Sequence, residues 1–300
     1  MLCHQLLLFF GLSLANGVCS SRRCYSEAQV SICFFCSATD VPPVPKDTVK
    51  FFLTYNYIRK VISFSLLEHL WLLEIGTQLV HPVTIGKRAF RNLLNLCILD
   101  LGDNKILQLH LDAFMGLPSL TVLHLFHNSL GDSILKECYF QDLRSLEELD
   151  LSTNEITKLH PHPLFYNLTA LKSVNLKFNK ISNFFLANLE SLNLFKNKIN
   201  QIQSNLWGEL YNYTFAGLCS VTYIDLQQNH IGMIGEKSFR LPSFPHLTSA
   251  FLGDNKLISV GNREITATHL ELERNWLAKL GDLYVLFQIP DLQYIFLKQN

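Results

Sequence analysis

The chain has 300 residues, 48% of them hydrophobic, and balances 25 basic against 25 acidic side chains to a formal net charge of zero. That neutrality excludes a basic nucleic-acid surface as the main interface, and the apolar content is ample for the core of one extended domain. Beyond the first 20 residues no uninterrupted apolar run reaches about 18 residues, so no membrane span is expected in the chain.

At the N-terminus "LLLFFGLSLA" (Leu6–Ala15) is too short to cross a bilayer and is followed by small residues near Gly17 and Ser20. This is the pattern of a secretory signal peptide over 1–20. His4 is the only basic residue ahead of the apolar run, which leaves an uncleaved anchor as the alternative. Residues 21–45 read as a cysteine-containing cap. Cys24 and Cys36 flank a short segment just before "VPPVP", where a stacked array needs its open core end covered. A disulfide closing such a loop is worth about 3 kcal/mol. Cys33 competes with Cys36 for the partner, and Cys24 with Cys36 is the favoured pair. Cys97, Cys138 and Cys219 lie singly and read as buried or free thiols. Cys33 and Cys36 lack a second ligand pair, which speaks against zinc.

From residue 46 to residue 300 one phrase recurs. "LCILDLGDN" ends at Asn104, and the same leucine spacing with a closing asparagine ends at Asn128, Asn154, Asn179, Asn197, Asn229, Asn255, Asn275 and Asn300. Weaker copies end at Asn56 and, with glutamine in the asparagine place, at Gln78. The intervals between these eleven ends are 22, 26, 24, 26, 25, 18, 32, 26, 20 and 25 residues, the range of a leucine-rich repeat with one irregular pair and an incomplete last copy. Each Leu-x-Leu core is a short strand that pairs in parallel with the one before it. The expected fold is therefore an α/β leucine-rich-repeat solenoid, a curved horseshoe with a parallel sheet on its concave face. Asparagine is a poor strand or helix former, but its amide offers a donor and an acceptor to adjacent turns. The repeated asparagines are thus expected to form a structural ladder and not to contact a ligand.

The segment before each strand repeats an aromatic followed by leucine, as in Phe90 with Leu93, Phe114 with Leu117, Phe140 with Leu143, Phe165 with Leu168 and Phe215 with Leu218. These are expected inside the convex wall. Residues interleaved with the inward leucines should face the concave surface: Glu74, Asp100, His124, Glu148, Asp150, Asn175, Asn193, Asp225, Phe251, Glu271 and Phe296. Of these, Asp100, Glu148, Asp150, Asp225 and Glu271 form a candidate stripe for a basic partner, weighed against an ordinary solvated face.

Two glycosylation acceptors are present, "NLT" at Asn167 and "NYT" at Asn212. "HPHP" (160–163) contains two prolines and no convergent carboxylates, so it reads as a turn and not as a metal clip. No Gly-rich phosphate loop, GxSxG elbow or HExxH motif occurs. The chain is accordingly not expected to be an enzyme or to carry a cofactor or metal, and its function is to be sought in binding.

The cysteine-capped start, the AFxxLxxLxxLDLxxN style and the run "AFRNLLNLCILDLGDNKI" resemble the extracellular domain of Toll-like receptors, in particular the flagellin-sensing kind. "YIDLQQNHIGMI" and "LYVLFQIPDLQYIFLKQN" are similar to later repeats of the same domain. The resemblance implies an innate immune pattern-recognition ectodomain on the secretory pathway, extracellular or cell-surface. It implies that such a domain binds flagellin through a protein interface, dimerises, and feeds an inflammatory response through an attached cytoplasmic domain. The likeness to early repeats stops near Asn183 and resumes near Leu189 with later ones, so several middle repeats are expected to be absent. With Asn300 inside a repeat, a fragment or a shortened secreted form is expected. The alternative is a soluble decoy or an extracellular leucine-rich-repeat matrix protein without signalling.

Overall fold

The computed structural model describes residues 24–136, 138–158, 168–181, 191–193, 221–232, 246–260, 267–278, 281, 284 and 286–300. The chain enters through β1 (Tyr25–Glu27) and β2 (Val30–Ile32), an antiparallel hairpin. A parallel stack continues from β2 through β3 (Lys50–Phe52), β5 (Leu72–Glu74), β7 (Ile98–Asp100), β8 (Val122–His124), β9 (Glu148–Asp150) and β10 (Ser173–Asn175). It goes on through β11 (Ser191–Asn193), β12 (Tyr223–Asp225), β13 (Ser249–Phe251), β14 (His269–Glu271) and β15 (Tyr294–Phe296), giving a 13-stranded sheet. On the other side of the first repeats, β4 (Lys60–Val61) and β6 (Thr84–Ile85) form a second parallel sheet. Helix is sparse among the described residues: α1 (Ser133–Lys136) is a single turn.

The strands are three residues long because only their middle residue points inward. Phe51, Leu73, Leu99, Leu123, Ile224 and Leu270 are each fully buried, while their neighbours on either side are turned to the concave surface. Each strand lies in register with the last, so Ile98, Leu99 and Asp100 stand opposite Val122, Leu123 and His124. Every repeat thus buries its leucines only against adjacent repeats, and all fuse into one continuous core.

In most repeats the turn off the sheet is made by a residue that carries no turn signal in its identity. Tyr55, Thr77, Asp103, His127, Thr153, Phe178, Gln228, Asp254, Arg274 and Gln299 all have φ between 50° and 60°. Each immediately precedes the closing Asn or Gln of its repeat. A left-handed conformation costs a non-glycine residue about 1 kcal/mol or more. What offsets it is a backbone bond to the next repeat: Asp103 N–H donates to Phe126 C=O at 2.9 Å, and His127 N–H to Ser152 C=O at 2.9 Å.

The closing amide then satisfies groups in two repeats at once. Nδ2 of Asn128 donates to Leu125 C=O in its own repeat at 3.0 Å and to Leu101 C=O in the previous one at 3.1 Å. Its Oδ1 accepts from the backbone N–H of Ile106 at 2.9 Å. Asn104, Asn154, Asn179, Asn255 and Asn275 are buried and donate in the same two directions. Asn229 is buried and donates to Leu226 C=O, while Asn300 bonds to Leu272 and Leu297 C=O. Gln78 keeps the pattern with its longer arm, donating to Leu53 C=O at 2.7 Å and accepting from Ile58 N–H at 3.1 Å. Asn197 lies outside the described residues.

On the opposite wall Phe64, Phe90, Phe114 and Phe140 stack ring on ring, with centroids 5.7, 6.2 and 5.9 Å apart. Leu93, Leu117, Leu143 and Leu168 are buried beside them. Phe165 and Phe215 lie outside the described residues.

The cap corrects one expectation. Cys24 pairs with Cys33, not with Cys36, with Cα atoms 4.5 Å apart. The hairpin decides this: its register sets Tyr25 opposite Ile32, so the next residues outward, 24 and 33, face each other at its mouth. Cys36 is itself disulfide-bonded. Asn56 joins the cap to the first repeat, its Oδ1 accepting from Cys36 N–H at 3.0 Å and Ala38 N–H at 3.1 Å. Cys97 is a half-buried free thiol and Cys138 an exposed one. Residues 1–20, Cys219, the junction near Asn183–Leu189, the 160–163 turn, Asn167 and Asn212 lie outside the described residues.

Candidate binding face

The in-register stack turns the outward strand positions into two rows. The third residue of each strand gives Glu74, Asp100, His124, Asp150, Asn175, Asn193, Asp225, Phe251, Glu271 and Phe296 in spatial order. The first residue gives the row that contains Glu148 and, later, Tyr223, Ser249, His269 and Tyr294. Asp100, Asp150, Asp225 and Glu271 therefore share one row and Glu148 stands in the other. Asn193 occupies its place in the register.

Over β5–β10 this face is acidic and tightly tied. Asp100 accepts from its own Gly102 N–H at 2.8 Å and Asp150 from Ser152 N–H at 2.8 Å, which fixes both carboxylates. The second oxygen of Asp150 takes a bond from Asn175 Nδ2 at 2.9 Å, and that of Asp100 faces His124 Nδ1 at 3.4 Å. Burial pushes the His124 imidazole down, but the Asp100 bond and the charges of Asp100, Asp150 and Glu148 outweigh it, and its pKa is raised. Gly102 has a steric role: a Cβ there would lie 2.4 Å from the Phe126 ring, which rests over it.

Over β12–β15 the same row alternates carboxylate and ring. Asp225 is only 7% exposed. It differs here from the open position expected of it, because Gln227 N–H and the Tyr223 hydroxyl close over its two oxygens at 3.0 and 3.4 Å. Burial raises its pKa, and burial together with Asp225 pushes the Tyr223 phenol up to about 12. Glu271 is half-buried and accepts from Gln227 Nε2 at 2.7 Å, a contact between residues 44 apart in sequence. The bond crosses above Gly253, where a Cβ would stand 3.1 Å from the Glu271 oxygen. Burial, Glu273 and Asp225 raise the pKa of Glu271. Tyr223 lies 5.2 Å from Phe251, and His269 stacks on Tyr294 at 4.5 Å. Sequence reading did not find these Gly-floored contacts; the signal for them was a glycine at the second position after a strand.

Comparison with known proteins fits this picture. The leucine-rich-repeat family model matches residues 81–130 and 135–181. The chain is 41% identical over 219 residues to human Toll-like receptor 5, covering 70% of this chain and 25% of that protein. Chicken epiphycan is 36% identical over 138 residues, covering 45% of this chain and 41% of that protein. The solved mouse RP105/MD-1 complex superposes with a TM-score of 0.72 at 23% identity, over 91% of this chain and 46% of that one. The chain thus spans about a quarter of the length of the Toll-like receptor it matches. No helix among the described residues is long and apolar enough to cross a membrane. The chain is a leucine-rich-repeat solenoid, and across most of its length its sequence is similar to that of Toll-like receptor 5.

Proposed function

We propose that the chain is ligand-binding ectodomain of an innate immune pattern-recognition receptor of the Toll-like type. It takes a bacterial protein, flagellin, at a protein interface and feeds inflammatory signalling when joined to a cytoplasmic domain. The single observation that carries this reading is the 41% identity over 219 residues, because it spreads across repeats whose solenoid is continuous. In this reading residues 1–20 are a signal peptide, 21–45 a disulfide-stapled cap and 46–300 the repeats. Asn167 and Asn212 carry glycan, the chain works outside the cell or on its surface, and the receptor dimerises. The asparagines serve the ladder and leave recognition to the exposed rows.

The test is binding of residues 21–300, secreted from eukaryotic cells, to immobilised flagellin, with circular dichroism to establish the fold. Saturable binding by the folded chain supports the receptor reading. A folded chain that does not bind flagellin sinks it. The similarity to epiphycan favours a second reading, an extracellular binding or matrix protein, or a soluble decoy, without signalling. That reading predicts an unchanged inflammatory response when the repeats are joined to a Toll-like cytoplasmic domain and challenged with flagellin.

A further inference from the structure

We propose that the concave sheet face over β12–β15 is an arginine-recognition surface. There the carboxylate of Glu271, with Phe251 on the strand to one side and Phe296 on the strand to the other, takes a guanidinium from an extended segment of a protein partner. This goes beyond the flagellin reading and does not depend on it.

The register places Phe251, Glu271 and Phe296 at one level on three consecutive strands, so that the backbone of each phenylalanine stands about 4.8 Å along the sheet from that of the glutamate. A guanidinium is planar, weakly hydrated and able to stack on a ring while donating to a carboxylate; an ammonium is a compact, strongly hydrated charge. Alternating ring and carboxylate therefore suits arginine better than lysine. The carboxylate is also pre-positioned. Gln227 holds Oε1 at 2.7 Å across the glycine floor, and Oε2 is left as an acceptor.

Charge complementarity points the same way. Among the described residues no Lys or Arg pairs with Glu271: the adjacent Arg274 is engaged by Asp254 at 2.6 Å and lies near Glu273 at 3.9 Å. Burial is the chief cause of the raised proton affinity of Glu271; Glu273, Asp225 and Asp254 add negative potential, and Arg274 offsets only part of this, so the carboxylate still lacks a directly paired positive charge. A partner cation would supply it.

The experiment measures fluorescence anisotropy of labelled hexa-arginine, hexa-lysine and hexa-citrulline on the full secreted chain, with circular dichroism on every variant. Hexa-arginine is expected to bind roughly fivefold tighter than hexa-lysine, and hexa-citrulline not to bind. Glu271→Gln and Phe251→Leu are each expected to weaken hexa-arginine roughly tenfold, the leucine keeping bulk while removing the ring face. Glu68→Gln, which removes one exposed charge in an early repeat, should leave binding unchanged. Because protons compete for Glu271, binding should fall on acidification at a higher pH than an ordinary carboxylate would give. Equal binding of the two cationic peptides, an equal loss with Glu68→Gln, retention in Phe251→Leu, or no binding of hexa-arginine overturns the proposal.

Discussion

The faces over β5–β10 and over β12–β15 stand on the same scaffold and present different chemistry. In the first, Asp100 and Asp150 are bonded to their own backbones and to side chains on neighbouring strands, and Phe126 lies over Gly102. In the second, rings stand between carboxylates, and the space over Gly253 is crossed by the Gln227–Glu271 bond. Beneath both, an apolar inward residue and a closing amide side chain recur in repeat after repeat. The difference teaches that a solenoid separates constraint by position: the interior sets stability, and two or three outward residues per repeat are left to vary in chemistry.

Interior substitutions should therefore break either block regardless of its face. Phe114→Ala removes a ring from the middle of the stack and is expected to cost about 4 kcal/mol in urea denaturation. Asn128→Ala takes the side-chain acceptor from the Ile106 and Asn104 amides and one of two amide donors from each of the Leu101 and Leu125 carbonyls, and should cost about 3 kcal/mol. Asn255→Ala should cost the same in the second block, measured by loss of amide hydrogen-exchange protection. A loss confined to one block would mean that the ladder is not the shared support.

Glycine substitutions sharpen the comparison, since they touch the face and the scaffold together. Gly102→Ala must push the Phe126 ring aside and is expected to destabilise by about 2 kcal/mol. Gly253→Ala meets the end of a flexible side chain and should cost about 1 kcal/mol while parting Gln227 from Glu271.

The smallest effects are those of pH. Burial disfavours charged His124, but Asp100, Asp150 and Glu148 raise its folded pKa above the ordinary value of 6.5. Its contribution is full below that ordinary value and disappears as pH rises through the folded one. The denaturation midpoint should fall slightly between pH 6 and 8, and His124→Gln should flatten that slope. In the second block burial raises Glu271, so its charged form disfavours the fold near neutrality and protonation relieves that cost. Glu271→Gln should leave stability at pH 7 the same or slightly higher. A clear loss would assign Glu271 to holding the scaffold together.

Much of this was legible in the chain because a leucine period near 25 residues admits few folds. The strands, their parallel order and the central burial of residues such as Leu99 and Leu123 follow from it. The cysteine pairing was not legible, because choosing Cys33 over Cys36 depends on the register of a hairpin whose turn, Ala28 and Gln29, carries no glycine or asparagine signal. The left-handed residues were also hidden. Tyr55, Thr77 and Phe178 have no intrinsic preference for φ near +55°, and inter-repeat bonds impose it.

By itself the sequence determined a repeating core and a ladder position in each repeat, since both are periodic and each repeat needs only its neighbours. The tertiary structure alone decided which outward groups meet. Gln227 and Glu271 are 44 residues apart, and Asp225 is closed over by groups two residues on either side. Such contacts depend on strand register and on the absent side chain of Gly253, which period and composition do not encode.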